Sequence, residues 1–207
     1  RNQVPYEFLD VEVSEEAREI AARSNGDAAN LPLVFFPDGK KLSAPATSEV
    51  AEHLGLQQQA KEDFYDLVIV GAGPAGLASA VYGASEGLRT VVIEREAPGG
   101  QAGTTSQIEN YLGFPTGLSG GELARRGLAQ TQKFGVEMLT PQEVVGVTLE
   151  GPYKRLKISN GDELVCHVLM IATGVSWRRP PAKGADSLIG NGVYYGAALT
   201  EAIECEG

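Results

Sequence analysis

The sequence predicts an α/β fold that is built around a parallel β-sheet, and three of its features carry this prediction. Short apolar runs at residues 67–70, 90–93 and 168–171 have the length and composition of buried parallel strands. Apolar side chains recur with helical spacing over residues 77–84, directly after the first run. The Asn160-Gly161 dipeptide lies between two further β segments and is a strong hairpin signal. We therefore expect a parallel sheet that carries a three-stranded antiparallel meander.

The first 56 residues predict a separate small α/β unit. A strand is expected at residues 6–13, followed by a helix that Ser14 can cap with its hydroxyl. The remaining elements are a strand, a Pro-Asp-Gly turn, a short strand and a helix, at residues 31–36, 37–39, 40–42 and 47–54. Residues 57–63 are polar and contain few apolar side chains, so we expect them to be a linker.

A glycine-rich turn connects the strand at residues 67–70 to the helix that follows it. Its six residues are Gly71-Ala72-Gly73-Pro74-Ala75-Gly76. Gly71 permits a sharp turn, Gly73 lets a pyrophosphate approach the backbone, and Gly76 lets the helix pack against the strand. Pro74 suits the first helical turn, where the free N–H groups and the positive end of the helix dipole would face phosphates.

Glu94 directly follows the second strand of this unit, at residues 90–93. It lies about 20 residues beyond the glycines, where a carboxylate can accept hydrogen bonds from both hydroxyls of a ribose. Strand, glycine turn, helix, second strand and acid follow one another in the order of a Rossmann-like dinucleotide-binding unit. The alternative is a glycine turn in an ordinary α/β unit, with Glu94 as a surface residue.

The large unit starts near residue 64 and continues beyond Glu94 with further helix and strand signals. Ser119 and Glu122 have the spacing of a capping box, so Ser119 is the expected N-cap of a helix that reaches about residue 134. Five β segments follow, at residues 136–139, 143–149, 153–159, 162–166 and 168–171. Ala172-Thr173-Gly174 follow the last strand, and residues this small allow a ligand or another backbone to approach.

Composition and charge argue against several classes of function. The chain of 207 residues has a formal net charge of −10 and no basic patch in its sequence, which argues against nucleic-acid binding. No apolar run approaches the roughly 20 residues that span a membrane, and no secretion signal opens the chain. Its two cysteines, Cys166 and Cys205, form no CxxC motif and no metal-ligand spacing with the two histidines. Sparse cysteine without a secretion signal favours the reducing cytoplasm.

Taken together, these landmarks resemble the FAD domain of the low-molecular-weight thioredoxin reductases, a type of FAD-dependent pyridine nucleotide-disulfide oxidoreductase, over about residues 64–207. The residues that carry the resemblance are Gly71 to Gly76, Glu94, Gly99-Gly100-Gln101, Ile108-Glu109-Asn110 and Ala172-Thr173-Gly174. The resemblance implies FAD as cofactor and NAD(P)H as hydride source in the parent protein. It also implies a set of cofactor-binding residues, which are Gly71, Gly73, Pro74, Ala75, Gly76, Glu94, Gly100, Gln101, Asn110, Val144, Thr173 and Gly174.

The resemblance implies a role for most of these residues. The glycine turn would hold the FAD pyrophosphate, and Glu94 would hold the adenosine ribose. Residues 100–101 would lie along the cofactor, Asn110 would lie near the flavin, and Val144 would meet the adenine through its backbone. The loop residues also have plainer alternatives. Gln101 could be a solvated loop side chain, Asn110 could cap a turn, and residues 173–174 could merely end a strand.

The small unit resembles the later part of a thioredoxin or glutaredoxin fold over about 56 residues. The order of its elements matches that fold, and Leu31-Pro32 lies where that family carries a cis-proline. The opening strand, CxxC motif and first helix of that family would precede Arg1, so the resemblance implies a partial unit. An unrelated α/β appendage is the alternative.

One departure from the reductase family bears directly on the reaction. Members that reduce thioredoxin carry a Cys-x-x-Cys soon after a Gly-Val segment, which corresponds here to Gly192-Val193. Gly196 and Leu199 stand at the expected cysteine positions, and neither can pass electrons from a flavin to a disulfide, so we identify no catalytic residue. The family's NADPH domain and final FAD segment are not found either. We therefore expect residues 64–207 to be an incomplete FAD-binding domain that is inactive alone.

Three functional interpretations follow. The first is part of an FAD-dependent NAD(P)H oxidoreductase, which passes a hydride to FAD and then electrons to an unidentified acceptor. The second is a ferredoxin or flavodoxin reductase of the same architecture, which needs no CxxC. The third is a non-catalytic, flavin-binding redox sensor, and a glycine-rich scaffold without a cofactor is the plainest alternative. The resemblance suggests a homodimer and a small redox protein as acceptor, but the sequence does not distinguish NADH from NADPH.

Overall fold

The computed structural model describes residues 4–24, 30–176 and 181–188. The helices within these ranges are Glu15–Arg23 (α1), Thr47–His53 (α2), Pro74–Ser85 (α3) and Gly120–Lys133 (α4). The strands are Leu33–Phe35 (β1), Lys41–Ser43 (β2), Phe64–Val70 (β3), Thr90–Ile93 (β4), Glu137–Leu139 (β5), Val144–Glu150 (β6), Tyr153–Ile158 (β7) and Glu163–Ile171 (β8). Short 3₁₀ turns occupy Gln101–Thr104 and Ala185–Leu188.

A six-stranded sheet forms the centre of the large unit, in the order β5-β4-β3-β8-β7-β6. Strand β3 pairs in parallel with β4 on one side and with β8 on the other, and β4 pairs in parallel with β5. Strands β6, β7 and β8 pair antiparallel and form a meander. The predicted α/β fold, with a parallel sheet and a three-stranded meander, is therefore confirmed.

Strand β8 corrects one part of that prediction. The sequence predicts separate strands at residues 162–166 and 168–171, whereas the structure contains one continuous strand, Glu163–Ile171. Its first half pairs antiparallel with β7, and most of its length pairs parallel with β3. No glycine or proline interrupts the chain around Cys166-His167, so nothing in the sequence turns the backbone there. One strand therefore joins the meander to the parallel sheet.

The two central strands differ in how well they are buried. Val68 and Ile69 of β3 point to opposite faces of the sheet, and both are 0% exposed. The burial predicted for the end of β8 is wrong, because Val168 is 54% and Ile171 is 71% exposed. Among the strands, helix α3 packs mainly against β3 and β4, so it shields those strands more than it shields β8.

The predicted helix N-termini are confirmed at the atomic level. Pro74 is the first residue of α3. The Ser119 hydroxyl accepts a hydrogen bond from the Glu122 amide at 3.1 Å and caps α4. The Ser14 hydroxyl accepts one from the Ala17 amide at 3.2 Å and caps α1. In α1 and α4 the hydroxyl cap satisfies a backbone donor that the helix itself leaves unpaired.

The small unit contains less regular structure than the sequence predicts. Strands β1 and β2 pair antiparallel in a two-stranded sheet. The strand predicted at residues 6–13 is wrong, because residues 4–10 form no strand and residues 11–13 form a turn. A strand needs a neighbour for its backbone groups, and neither β1 nor β2 pairs with this segment. The Leu31-Pro32 peptide bond is cis.

Candidate functional site

The glycine turn lies at the carboxyl end of β3, where the chain enters α3. Gly71 has a φ of +103°, and a Cβ on it would lie 2.4 Å from the Ala172 carbonyl oxygen. A Cβ on Gly76 would lie 1.9 Å from the Gly71 carbonyl oxygen. Neither position can take a side chain without moving the backbone, so both glycines are needed for the fold itself. The close packing predicted for Gly76 is present.

Gly73 differs from its two neighbours in the motif. Its φ is −70° and its ψ is 180°, which any residue can adopt. A Cβ on it would meet nothing within 4 Å among the described residues. The fold therefore does not require a glycine here, but a Cβ would occupy the open space beside the start of α3. That is the arrangement expected where a ligand must come close to the backbone.

The first turn of α3 presents backbone donors to the same open space. The Leu77 amide donates to the Gly73 carbonyl at 2.9 Å, whereas the amides of Gly73, Ala75 and Gly76 donate to no other residue that the structure describes. Gly73 is the N-cap and offers no side chain, and Pro74 has no N–H. Unpaired donors at the positive end of a helix make a site for a phosphate or another anion.

Glu94 is buried beside this turn, with 9% of its surface exposed. One carboxylate oxygen accepts a hydrogen bond from the Ala72 amide at 2.7 Å, and the other accepts one from the Glu96 amide at 2.9 Å. A carboxylate can accept about four hydrogen bonds, so each oxygen retains capacity for a hydroxyl. The structure thus rules out the alternative of a surface glutamate, and it shows a tether to the turn that the sequence did not reveal.

A second turn packs against the glycine turn from one side. The Gly99 amide donates to the Ala72 carbonyl at 2.8 Å. Gly100 has a φ of +54°, and a Cβ on it would lie 3.3 Å from the Cα of Gly73. The predicted pair Gly100 and Gln101 therefore borders the space in front of the helix start.

The segment directly after β8 borders the other side of the space in front of the start of α3. The Gln101 side-chain amide donates to the Val175 carbonyl at 2.6 Å, which ties the two flanking segments together. Thr173 and Gly174 lie exposed between this contact and Ala172. The structure therefore brings ten of the twelve predicted residues into one neighbourhood, namely Gly71, Gly73, Pro74, Ala75, Gly76, Glu94, Gly100, Gln101, Thr173 and Gly174.

Asn110 and Val144 lie apart from this group. Asn110 is exposed on a loop whose ends are joined by mutual backbone hydrogen bonds between Ile108 and Leu118, and no hydrogen bond links it to the glycine turn within the described ranges. Val144 opens β6, where it is half-buried and packs against the core. The amide of Gln142, which precedes Val144 by two residues, donates to the Glu94 carbonyl at 2.9 Å.

Two residues of this neighbourhood were missed by the sequence reasoning. Ala72 binds the Glu94 carboxylate through its amide. Gln142 is only 5% exposed, and its side-chain oxygen accepts a hydrogen bond from the Ser159 hydroxyl at 2.8 Å. The glycine motif could have drawn attention to Ala72, whereas nothing in the sequence marks a buried role for Gln142.

The described residues supply no reactive thiol. Cys166 is 0% exposed, and burial raises the pKa of its thiol, so it stays protonated and inaccessible. Gly196, Leu199 and Cys205 lie outside the described residues. Within the described ranges, no three His, Cys, Asp or Glu side chains are arranged so that they could hold a metal ion. None of the helices found there is both long enough and apolar enough to cross a membrane.

An apolar groove of about 420 Å³ runs between α3 and α4, next to the glycine turn. Tyr82, Tyr111, Phe114 and Phe134 are the aromatic residues that line it. Only its end, near Pro74, adjoins the unpaired amides, so the groove and the donor cluster are separate features.

Comparison with known proteins supports the same assignment. The profile of the family described as pyridine nucleotide-disulphide oxidoreductase matches residues 65–202. A thioredoxin reductase from Ureaplasma parvum is 37% identical over 134 residues, which are 65% of this chain and 42% of that protein. A bifunctional thioredoxin reductase/thioredoxin from Mycobacterium leprae is 35% identical over 134 residues, which are 65% of this chain and 29% of that protein.

A solved structure agrees with the sequence matches. The crystal structure of Lactococcus lactis thioredoxin reductase superimposes with a TM-score of 0.56 and 35% identity, over 60% of this chain and 40% of that one. The chain thus spans less than half the length of each of these relatives. With a profile match over most of its length, a glycine turn of the expected geometry and a parallel sheet that carries a meander, the chain belongs to the pyridine nucleotide-disulphide oxidoreductase family.

Proposed function

We propose that this chain is the FAD-binding part of an NAD(P)H-dependent flavoprotein oxidoreductase of the thioredoxin reductase type. One observation carries the proposal: unpaired amides at the start of α3 lie beside a buried carboxylate that is tethered to the same turn. Amide donors suit the diphosphate of a dinucleotide, and a carboxylate suits the hydroxyls of its ribose.

The residues present fit the adenosine diphosphate half of FAD. The amides of Gly73, Ala75 and Gly76 would bind the phosphates, and the open space at Gly73 lets the phosphates approach. Glu94 would bind the ribose through the acceptor capacity that Ala72 and Glu96 leave unused. Val144 would meet the adenine, which is consistent with the hydrogen bond between the Glu94 carbonyl and the amide of nearby Gln142.

The other predicted residues would line the path towards the flavin. Gly100 and Gln101 would lie along one side of the cofactor, Thr173 and Gly174 along the other, and Asn110 would be near the flavin. When bound, FAD would supply the redox chemistry by accepting a hydride and passing two electrons onward. The role of these residues would be to bind, orient and enclose it.

The domain organisation and partners belong to the same proposal. Residues 1–56 would be a partial thioredoxin- or glutaredoxin-like unit, and residues 64–207 would be the FAD-binding domain. A small redox protein would accept the electrons in a cytoplasmic setting, with no role for nucleic acid or membrane, and the parent protein would be a homodimer. The relative from M. leprae, whose name joins a thioredoxin reductase to a thioredoxin, supports this kind of acceptor.

A redox sensor is the second candidate function. Gly196 and Leu199 at the expected cysteine positions favour it, and so does the burial of Cys166. The same substitutions are compatible with a ferredoxin or flavodoxin reductase, which needs no dithiol. Reduction of bound flavin by NADPH or NADH in the parent protein would support either enzyme, whereas binding without reduction would support the sensor.

Titration of the chain with ADP and with FAD tests the proposal directly. ADP probes the cradle alone, and FAD also probes the flavin side. We expect saturable binding of both by the wild type and at least about tenfold weaker binding by Gly73→Ala, because the added methyl group occupies the space that a phosphate needs. Gly121→Ala is the matched control, since its Cβ would come no closer than 3.9 Å to the nearest atom, away from the turn. Absent binding, or equal binding by both variants, contradicts the proposal.

A further inference from the structure

The polar segment at residues 57–63 is held against the large unit rather than extended into solvent. Ala60 packs against the core cluster that contains Tyr65, Leu139 and Leu156. The Gln57 carbonyl accepts a hydrogen bond from the Thr140 amide at 2.9 Å, directly after β5. This segment therefore lies along β5, which is an edge strand of the sheet.

A single carboxylate, that of Glu137 on β5, accepts hydrogen bonds from two residues of the segment and from Tyr65. One of its oxygens accepts hydrogen bonds from the Lys61 amide at 2.8 Å and from the Gln57 side-chain amide. The other accepts one from the Tyr65 hydroxyl at 2.7 Å. Tyr65 in turn accepts a hydrogen bond from the Glu62 amide at 3.2 Å. The carboxylate thus binds the segment at both ends.

Tyr65 is suited to a permanent donor role in this cluster. It is 2% exposed, and burial together with the hydrogen bond to Glu137 raises the pKa of its phenol well above the ordinary value. The phenol therefore keeps its proton, and hydrogen bonds from such donors to a charged acceptor are stronger than those between neutral groups.

Gln58 connects the segment to the small unit. Its side-chain amide donates to the Ser48 carbonyl in α2 at 3.0 Å. Its own carbonyl accepts a hydrogen bond from the Asn160 side chain at 3.1 Å, at the hairpin between β7 and β8. One residue therefore contacts both the small unit and the meander.

We propose that Glu137 is a positioning residue that fixes residues 57–63 on the edge of the sheet, so that the small unit is attached through a fixed strap and not a flexible tether. This goes beyond the proposed function, because it concerns how the two units are joined and is independent of any cofactor.

Trypsin provides a direct test, because Lys61 is a cleavage site inside the strap. We compare the full chain with Glu137→Gln, which keeps the size of the side chain but places an amide donor among the strap's own donors. Glu86→Gln is the matched control, since Glu86 is an exposed glutamate at the end of α3. The rate at which cleavage after Lys61 produces a new N-terminus at Glu62 is measured, together with hydrogen exchange of the Lys61 and Glu62 amides.

The proposal predicts slow cleavage in the wild type and in Glu86→Gln. Glu137→Gln should speed cleavage and exchange by roughly 10- to 100-fold, the range expected when a hydrogen bond to a charged group is lost. Exchange at Val68 and Ile69 should not change, which distinguishes release of the strap from unfolding. Tyr65→Phe removes one donor to Glu137 and also the acceptor of the Glu62 amide, so it should speed exchange at Glu62 and change exchange at Lys61 less than Glu137→Gln does. Fast cleavage of the wild type, or equal rates in Glu137→Gln and the control, would overturn it.

Discussion

The large and small units of this chain respond differently to the same kind of sequence signal. In the large unit, an apolar run at residues 67–70 becomes part of a strand with parallel neighbours on both sides, and Ile69 is 0% exposed. In the small unit, a run at residues 6–13 forms no strand, and Phe8 is 76% exposed. An apolar pattern therefore specifies a strand only where the fold supplies a hydrogen-bonding partner for its backbone.

The largest expected effect comes from truncating one apolar side chain in each unit. Ile69→Ala should lower the free energy of unfolding by about 4 kcal/mol, because it leaves a cavity in a fully packed layer. Phe8→Ala should change it by no more than about 0.5 kcal/mol, since that ring has little packing to lose. Urea unfolding followed by circular dichroism measures both. Equal losses of unfolding free energy in the two variants would contradict this difference between the two units.

Within the large unit, the glycine turn allows a similar comparison between a glycine that the fold requires, Gly76, and one that it does not, Gly73. Gly76→Ala should cost about 3 kcal/mol of stability, because its methyl group would overlap the Gly71 carbonyl. Gly73→Ala should change stability by no more than about 1 kcal/mol, because its backbone conformation suits alanine although alanine is a poorer N-cap than glycine. The measurement is the urea concentration at the midpoint of unfolding, with the same dependence of the unfolding free energy on urea concentration for each variant. A loss of stability in Gly73→Ala as large as that in Gly76→Ala would show that this glycine serves the fold and not a ligand.

A smaller effect is expected where a buried carboxylate ties two segments together. Glu94→Gln should cost about 2 kcal/mol, because an amide group cannot accept hydrogen bonds from both the Ala72 and Glu96 amides. Glu86→Gln removes the same charge from an exposed site and should have almost no effect. Thermal unfolding measures both variants. If both substitutions lower the unfolding temperature by the same amount, the loss of stability comes from the change in net charge and not from the loss of the tether.

The smallest effect concerns pH and the strap. The pKa of the Tyr65 phenol is raised in the folded chain above its ordinary value of 10.0. Its contribution to stability is therefore complete below pH 10 and declines as the pH rises further, because the unfolded chain then loses the proton first. Wild type should lose more stability than Tyr65→Phe between pH 9 and pH 11, as measured by urea unfolding at each pH. If wild type and Tyr65→Phe lose the same amount of stability over this pH range, the result would contradict the buried contact between the phenol and the carboxylate.

Sequence reasoning succeeded where a signal is local. The glycine turn, the hydroxyl caps of Ser14 and Ser119, and the parallel order of β3 and β4 all depend on a few neighbouring residues. It failed where the outcome depends on distant partners. Strand β8 is continuous because it pairs with two different strands, and neither partner is visible from its own sequence.

The candidate site shows the same division. Glu94 could be identified from its distance to the glycines, but its tether to Ala72 depends on how β4 lies against β3. The polar composition of residues 57–63 predicts a linker, but it gave no sign that groups of this segment are paired with Glu137, which lies 76 residues beyond Lys61 in sequence. Polar composition alone does not separate a solvated linker from a hydrogen-bonded one.

The central claim is that the start of α3 and Glu94 form a cradle for the diphosphate and ribose of FAD. Titration of ¹⁵N-labelled chain with ADP, followed by amide resonances, tests it most directly. The account predicts saturable shifts at the amides of Gly73, Ala75 and Gly76, with smaller changes at Ala72 and none in the small unit. Unchanged resonances at these three amides, or shifts confined to another surface, would contradict it.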